Sequence, residues 1–184
     1  MFTSGYLPDE LRDPVLWESG RDLSAGEEEA FRFAAGCYRA EKIALKLVAR
    51  AEQNSAGLLV KLERRGFDTT TAKAVVSGLE SRNLLDDGRY SVLWIRSRLA
   101  SGRAVSPRWL LVSLGKKGIA RESSLKALRQ VLDPETEYAL LLQYLEKAKP
   151  GNRKLPERNS KSFLRSQLKY QGFSADALDR YFDD

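Results

Sequence analysis

The stretch Asn54-Ser55-Ala56-Gly57-Leu58-Leu59-Val60-Lys61-Leu62-Glu63-Arg64-Arg65-Gly66-Phe67 recurs along the chain. A second copy, 52 residues on, is Ser106-Pro107-Arg108-Trp109-Leu110-Leu111-Val112-Ser113-Leu114-Gly115-Lys116-Lys117-Gly118-Ile119. A third, a further 54 residues on, ends Leu164-Arg165-Ser166-Gln167-Leu168-Lys169-Tyr170-Gln171-Gly172-Phe173. Internal repetition decides the architecture before any single element does. Leu58, Leu59 and Leu62 make one helical face. Gly66, Gly118 and Gly172 stand where a helix must stop at positive φ. Phe67, Ile119 and Phe173 then fold back on the helix just ended.

Working outward, a second helix follows each turn, with Asp68 or Ser174 as N-cap. Val75, Val76 and Leu79, then Leu125 and Leu128, then Leu178, Tyr181 and Phe182 supply its inner face. A further helix precedes each pair. One spans about 41–51 and contains Ile43, Ala44, Leu47 and Val48. The next spans about 87–101, follows Asp86, and contains Tyr90, Leu93, Trp94 and Leu99. The last spans about 135–148, opened by Asp133-Pro134, with Tyr138, Leu141, Leu142 and Leu145. Gly115 falls mid-helix, at a cost of about 1 kcal/mol relative to Ala. Upstream, Ser24 with Glu27 forms a capping-box pattern. Residues 15–17 fit one short strand.

The expected fold class is all-α: an elongated array of three tandem three-helix repeats with an N-terminal extension. The boundaries are 1–36 for an acidic extension, irregular and then helical, 37–84, 85–132 and 133–184 for the repeats, and 149–158 for a basic loop in the third. A unit of about 50 residues buries too little area alone, so neighbours must stack.

Charge is unevenly spread. Residues 1–36 hold 3 basic and 8 acidic side chains, residues 37–132 hold 19 and 8, and residues 133–184 hold 9 of each. A basic middle suits a polyanion or an acidic protein surface. Arg89, Arg96, Arg98, Arg103 and Arg108 cluster in the second repeat, and Arg96, Arg98, Arg103 and Arg108 are not balanced by nearby acids. Arg153, Lys154, Arg158, Lys161, Arg165 and Lys169 gather in the third, where the spacing of 158, 161, 165 and 169 makes one basic helical stripe suited to tracking phosphates. Arg64, Arg65, Lys116 and Lys117 lie in last helical turns, where they equally suit binding or offsetting the helix dipole. Asp86 and Asp87 fit a helix N-cap better than a carboxylate pair. Trp94 fits a core position. Trp109 also fits the core, but beside Arg108 it could instead be a platform on which bases stack; Tyr38 and Tyr170 stay open in the same way.

The inventory excludes much. With no histidine and one cysteine, Cys37, the chain lacks Ser-His and Cys-His pairs, disulfides and multi-Cys metal sites. Cys37 fits a small buried hydrophobe better than a reactive thiol. No catalytic residue, cofactor or metal is expected, nor any membrane segment or signal peptide, which implies a cytoplasmic protein.

The ordered set Arg65-Gly66-Phe67-Asp68, Leu84-Leu85-Asp86-Asp87-Gly88-Arg89-Tyr90, Ile95-Arg96-Ser97-Arg98 before Gly102, Lys116-Lys117-Gly118-Ile119 and Gly172-Phe173-Ser174 resembles the RecX family over about residues 36–184. The resemblance implies a non-catalytic regulator that binds the RecA–single-stranded DNA filament and modulates it, usually as an inhibitor of recombinase and ATPase activity. The expected partners are the RecA filament and single-stranded DNA, with weak binding to double-stranded DNA, and the expected state is a monomer. The competing expectation is a direct DNA-binding protein built of helix-turn-helix units. Its recognition helices would open with Thr69-Thr70-Thr71, Arg121-Glu122-Ser123 and Ala175-Asp176, which are weak base readers.

Overall fold

The computed structural model describes residues 4–12, 22–147 and 161–183. Among these the chain is all-helical, in two compact units, Met1–Asp86 and Asp87–Asp184. The first unit holds 3-10 turns at Ser4–Tyr6 and Asp9–Leu11, then α1 (Ala25–Arg50), α2 (Ser55–Glu63) and α3 (Thr69–Ser81). The second holds α4 (Asp87–Ala100), α5 (Pro107–Gly115), α6 (Arg121–Val131), α7 (Pro134–Lys147), α8 (Lys161–Tyr170) and α9 (Ala175–Asp183).

The three glycine turns are three copies of one hydrogen-bonded motif. Gly66, Gly118 and Gly172 have φ of 88°, 83° and 90°. In each turn the glycine N–H donates three residues back: to Glu63, Gly115 and Lys169. The apolar residue after it donates five back, from Phe67 to Leu62, Ile119 to Leu114 and Phe173 to Leu168. That pattern satisfies carbonyls that the helix end would leave open, and only a residue tolerant of positive φ completes it. The apolar donor is thereby pinned on the helix it closes: Ile119 and Phe173 are buried, Phe67 half-buried.

Helix starts are fixed by side-chain oxygens. Ser24 and Glu27 exchange both capping-box bonds. Asp68 accepts from the Thr71 N–H at 2.8 Å, Asp133 from the Thr136 N–H at 2.8 Å, and Ser174 from the Ala177 N–H at 3.2 Å. These backbone donors hold the Asp68 and Asp133 carboxyls below the usual aspartate range.

α1 runs unbroken from Ala25 to Arg50, so the helix that opens after Ser24 continues into the first repeat. Ala34, Cys37, Ala40 and Ala44 form its buried face, and these short side chains suit close approach to Ala72, Val75 and Val76 of α3. Gly115 closes α5 rather than sitting inside it. On α4 the buried residues are Ser91, Val92 and Ile95, while Leu93 is 46% exposed. The expected strand at 15–17 and the loop 149–158 lie outside the described residues.

In the second unit, one core takes residues from all six helices, among them Ile95, Leu110, Leu114, Ala127, Leu141, Leu168, Phe173 and Leu178. Burying Leu side chains of this size is worth about 2 kcal/mol each. Polar clips join the second triplet to the third. Gly102 O accepts from Gln143 Nε2 at 3.1 Å and from Lys147 Nζ at 2.5 Å. The Arg108 N–H donates to Gln171 O at 2.9 Å, and Ser106 Oγ donates to Gln171 Oε1 at 2.9 Å.

Candidate nucleic-acid interface

The clip at Gln171 positions the most distinctive surface of the second unit. Ser106 caps α5 by accepting the Trp109 N–H at 3.2 Å. Pro107 is buried against this junction, so the next two residues, Arg108 and Trp109, turn outward. The Arg108 guanidinium lies 4.2 Å from the centre of the Tyr170 ring, and Tyr170 is 61% exposed.

Trp109, 44% exposed, stacks on Trp94 with ring centres 6.0 Å apart and planes 19° from parallel. Thus Trp94 packs against the core, as its position implies, while Trp109 lies at the surface rather than in the core. Two cations flank Trp94: the Arg98 guanidinium at 5.1 Å and Lys117 Nζ at 5.7 Å. Such contacts are favourable because the ring face is electron-rich. They hold the cations beside aromatic surface. Arg98 Nε is buried and has no hydrogen-bond partner among the described residues. The group therefore sets aromatic faces beside cationic side chains, the chemistry that stacking on bases and pairing with phosphates would need.

The other expected binding residues separate into three sets. Arg64, Arg96, Arg103, Lys116, Lys161 and Lys169 are exposed and make no ion pair with a described residue. Arg89 is also exposed. Two are engaged internally: Arg65 donates to the Lys61 carbonyl of its own helix at 2.8 Å, and Arg165 pairs with Asp179 of α9 and lies beside the Phe182 ring. Arg153, Lys154 and Arg158 lie outside the described residues.

Sequence reasoning missed two features. Tyr170 as the partner of Arg108 carried no signal, since the contact exists only once α5 and the end of α8 meet. Arg32, Arg39 and Lys42 on α1 did carry one, because intervals of seven and three place cations on one helical face.

Among the described residues no group of acidic and cysteine side chains could hold a metal ion, and no helix is long and apolar enough to cross a membrane.

No family model matches the chain. Individual relatives do. The regulatory protein RecX of Treponema pallidum is 36% identical over 115 residues, which are 62% of this chain and 70% of that protein. The regulatory protein RecX of Syntrophotalea carbinolica is 28% identical over 142 residues, 77% of this chain and 92% of that one. Among solved structures, a regulatory protein RecX superposes with a TM-score of 0.70 over 90% of this chain and 80% of that one, at 21% identity. RecX from Lactobacillus salivarius superposes with a TM-score of 0.60 over 82% and 96%, at 19% identity. The two structures speak for the fold. The Treponema protein, matched over more than two thirds of its length, speaks for descent: this chain belongs to the RecX family of regulatory proteins.

Proposed function

We propose that this chain binds the RecA–single-stranded DNA filament and lowers its recombinase and ATPase activities in DNA repair and the SOS response. It acts in the cytoplasm as a monomer, with no catalytic step of its own. The observation that carries the reading is the Trp94–Trp109 stack with Arg98, Lys117 and the Arg108–Tyr170 pair beside it. Exposed rings with cations beside them suit an unpaired strand, whose bases can turn out to stack. A duplex hides those faces and is read by a helix in its groove. Arg96, Arg103 and Lys116 of the same unit are exposed and make no ion pair with a described residue, which adds positive charge for a polyanion to meet.

RecA ATP hydrolysis on single-stranded DNA, with increasing amounts of this protein, tests the reading. Inhibition well below one molecule per RecA is expected, since a filament-bound regulator acts on many subunits. Inhibition only when excess protein strips RecA of DNA would overturn it and favour plain DNA binding. Replacing Arg96, Arg98 and Arg108 together by Ala should raise the inhibitory dose while leaving helicity intact. An unchanged dose removes these three residues from the interface.

A further inference from the structure

The first unit contains an open groove of about 760 Å³ between α1 and the turn from α2 into α3. Phe33 and Phe67 line its floor, and Arg32, Arg39, Lys42 and Arg65 its rim. Gly36 helps open it: with no side chain there, α1 leaves space up to Thr71, which a Cβ would approach only to 3.6 Å. Arg32, Arg39 and Lys42 are exposed and make no ion pair with a described residue. Two acids also line the groove, Glu29 and Asp68. Asp68 is already engaged, accepting the Thr71 N–H at 2.8 Å and the Thr71 hydroxyl at 2.7 Å. A surplus of positive charge thus borders an apolar floor.

We propose that this groove docks an acidic peptide segment of a partner protein, which sets an apolar side chain over Phe33 and Phe67 and carboxylates against Arg32, Arg39 and Lys42. Charge complementarity selects an acid. The floor favours a peptide over a nucleic acid: both phenylalanines are half-buried against the core, and apolar surface beside the cations suits a segment that carries apolar side chains as well as acids. Arginine forks take carboxylates in paired hydrogen bonds. The groove belongs to the first unit, and the proposal does not rest on the filament reading of the second.

Fluorescence anisotropy on the full chain tests it, using a labelled peptide of about a dozen residues in which Asp and Glu surround two Phe. Arg39→Glu with Lys42→Glu should weaken binding about tenfold or more, the loss expected when rim carboxylates meet like charge. Arg121→Glu with Lys126→Glu, a reversal of similar size on α6, should leave it unchanged. If the first double variant loses helicity, Arg39→Gln with Lys42→Gln replaces it and should weaken binding about threefold or more. Unchanged affinity in the folded α1 variant overturns the proposal. So does equal affinity for a peptide with Ser in place of Phe, which would reduce the groove to a charged patch. Equal loss of single-stranded oligonucleotide binding in the same variants would also overturn it, in favour of a nucleic-acid site.

Discussion

The guanidinium of Arg108 covers the ring of Tyr170 at 4.2 Å, while the backbone N–H of the same arginine is bonded to Gln171 O at 2.9 Å. One residue at the start of α5 is therefore held at both ends by the last turn of α8. The neighbouring Trp109 is oriented by the same junction, through its N–H bond to Ser106 and its stack on Trp94. A ring that is 44% exposed yet fixed in orientation loses little entropy when a base stacks on it.

Trp109→Ala should therefore weaken binding of the full chain to a single-stranded oligo-dT by about tenfold, corresponding to about 1–3 kcal/mol for one lost stacking contact. The fold should be unaffected, because Trp109 lies on the surface. Trp94→Ala is the contrasting variant: it should lose both binding and stability, since Trp94 packs on the core of the second unit. Oligonucleotide titration beside circular dichroism separates them. Unchanged oligonucleotide affinity for Trp109→Ala means that the stack is not a base platform.

The glycine turns make a sharper stability test. Gly66 and Gly172 have nearly the same φ, 88° and 90°. A Cβ on Gly66 would meet no atom within 4 Å, whereas one on Gly172 would come 3.1 Å from the Arg108 backbone N. Gly66→Ala should cost about 1–2 kcal/mol, the price of left-handed backbone alone. Gly172→Ala should cost more, and should also disturb the Arg108–Gln171 bond. Urea unfolding of the two variants, followed by far-ultraviolet circular dichroism, gives the comparison. Equal losses would mean that the crowding at Gly172 relaxes freely.

These turns also show what a sequence can disclose. A helix stop that demands positive φ leaves glycine at a fixed place, and the apolar residue after it must fold back. Both requirements are local, so the repeat could be found before the fold was known. The cations were visible too, but their roles were not, because a side chain's partner is set by packing. Arg165 fits a basic stripe by spacing, yet Asp179 of α9 pairs with it. Trp109 fits a core position by period, yet its helix turns it outward.

An ion pair with one buried partner gives a test within the first unit. Arg82, on the residue after α3, bonds Glu41 of α1, whose side chain is only 7% exposed. The Tyr6 hydroxyl is buried beside this carboxylate but makes no well-formed hydrogen bond. Arg82→Ala would leave the buried Glu41 side chain without its cation. It should destabilise the unit by about 2 kcal/mol or more. Arg180→Ala removes a pair with Glu135 whose side chains are 43% and 78% exposed, and should cost no more than about 1 kcal/mol from the ion pair. Urea midpoints rank the two. A smaller loss for Arg82→Ala than for Arg180→Ala would mean that water reaches Glu41 once the arginine is gone.

Cys37 supplies a prediction in pH. The thiol has no exposed surface on α1, and burial, then the charges of Asp68 and Glu41, push its pKa from 9.0 up to about 11. Tyr6 is raised from 10.0 to about 12, by burial first and then by the Glu41 charge. Below about pH 9 both groups hold their protons whether the chain is folded or not, so they add no pH dependence there. From about pH 9 to 11 the unfolded chain releases the Cys37 proton while the folded chain keeps it. Stability should therefore fall as pH rises through that window, with Tyr6 adding to the fall above about pH 10. Urea midpoints at neutral pH and at about pH 10.5 measure the slope, and Cys37→Ala should make it shallower. The same burial predicts that a maleimide labels the native protein only at the rate of local opening, and rapidly in denaturant. Native labelling as fast as that of a free thiol would show that α1 and α3 do not enclose Cys37.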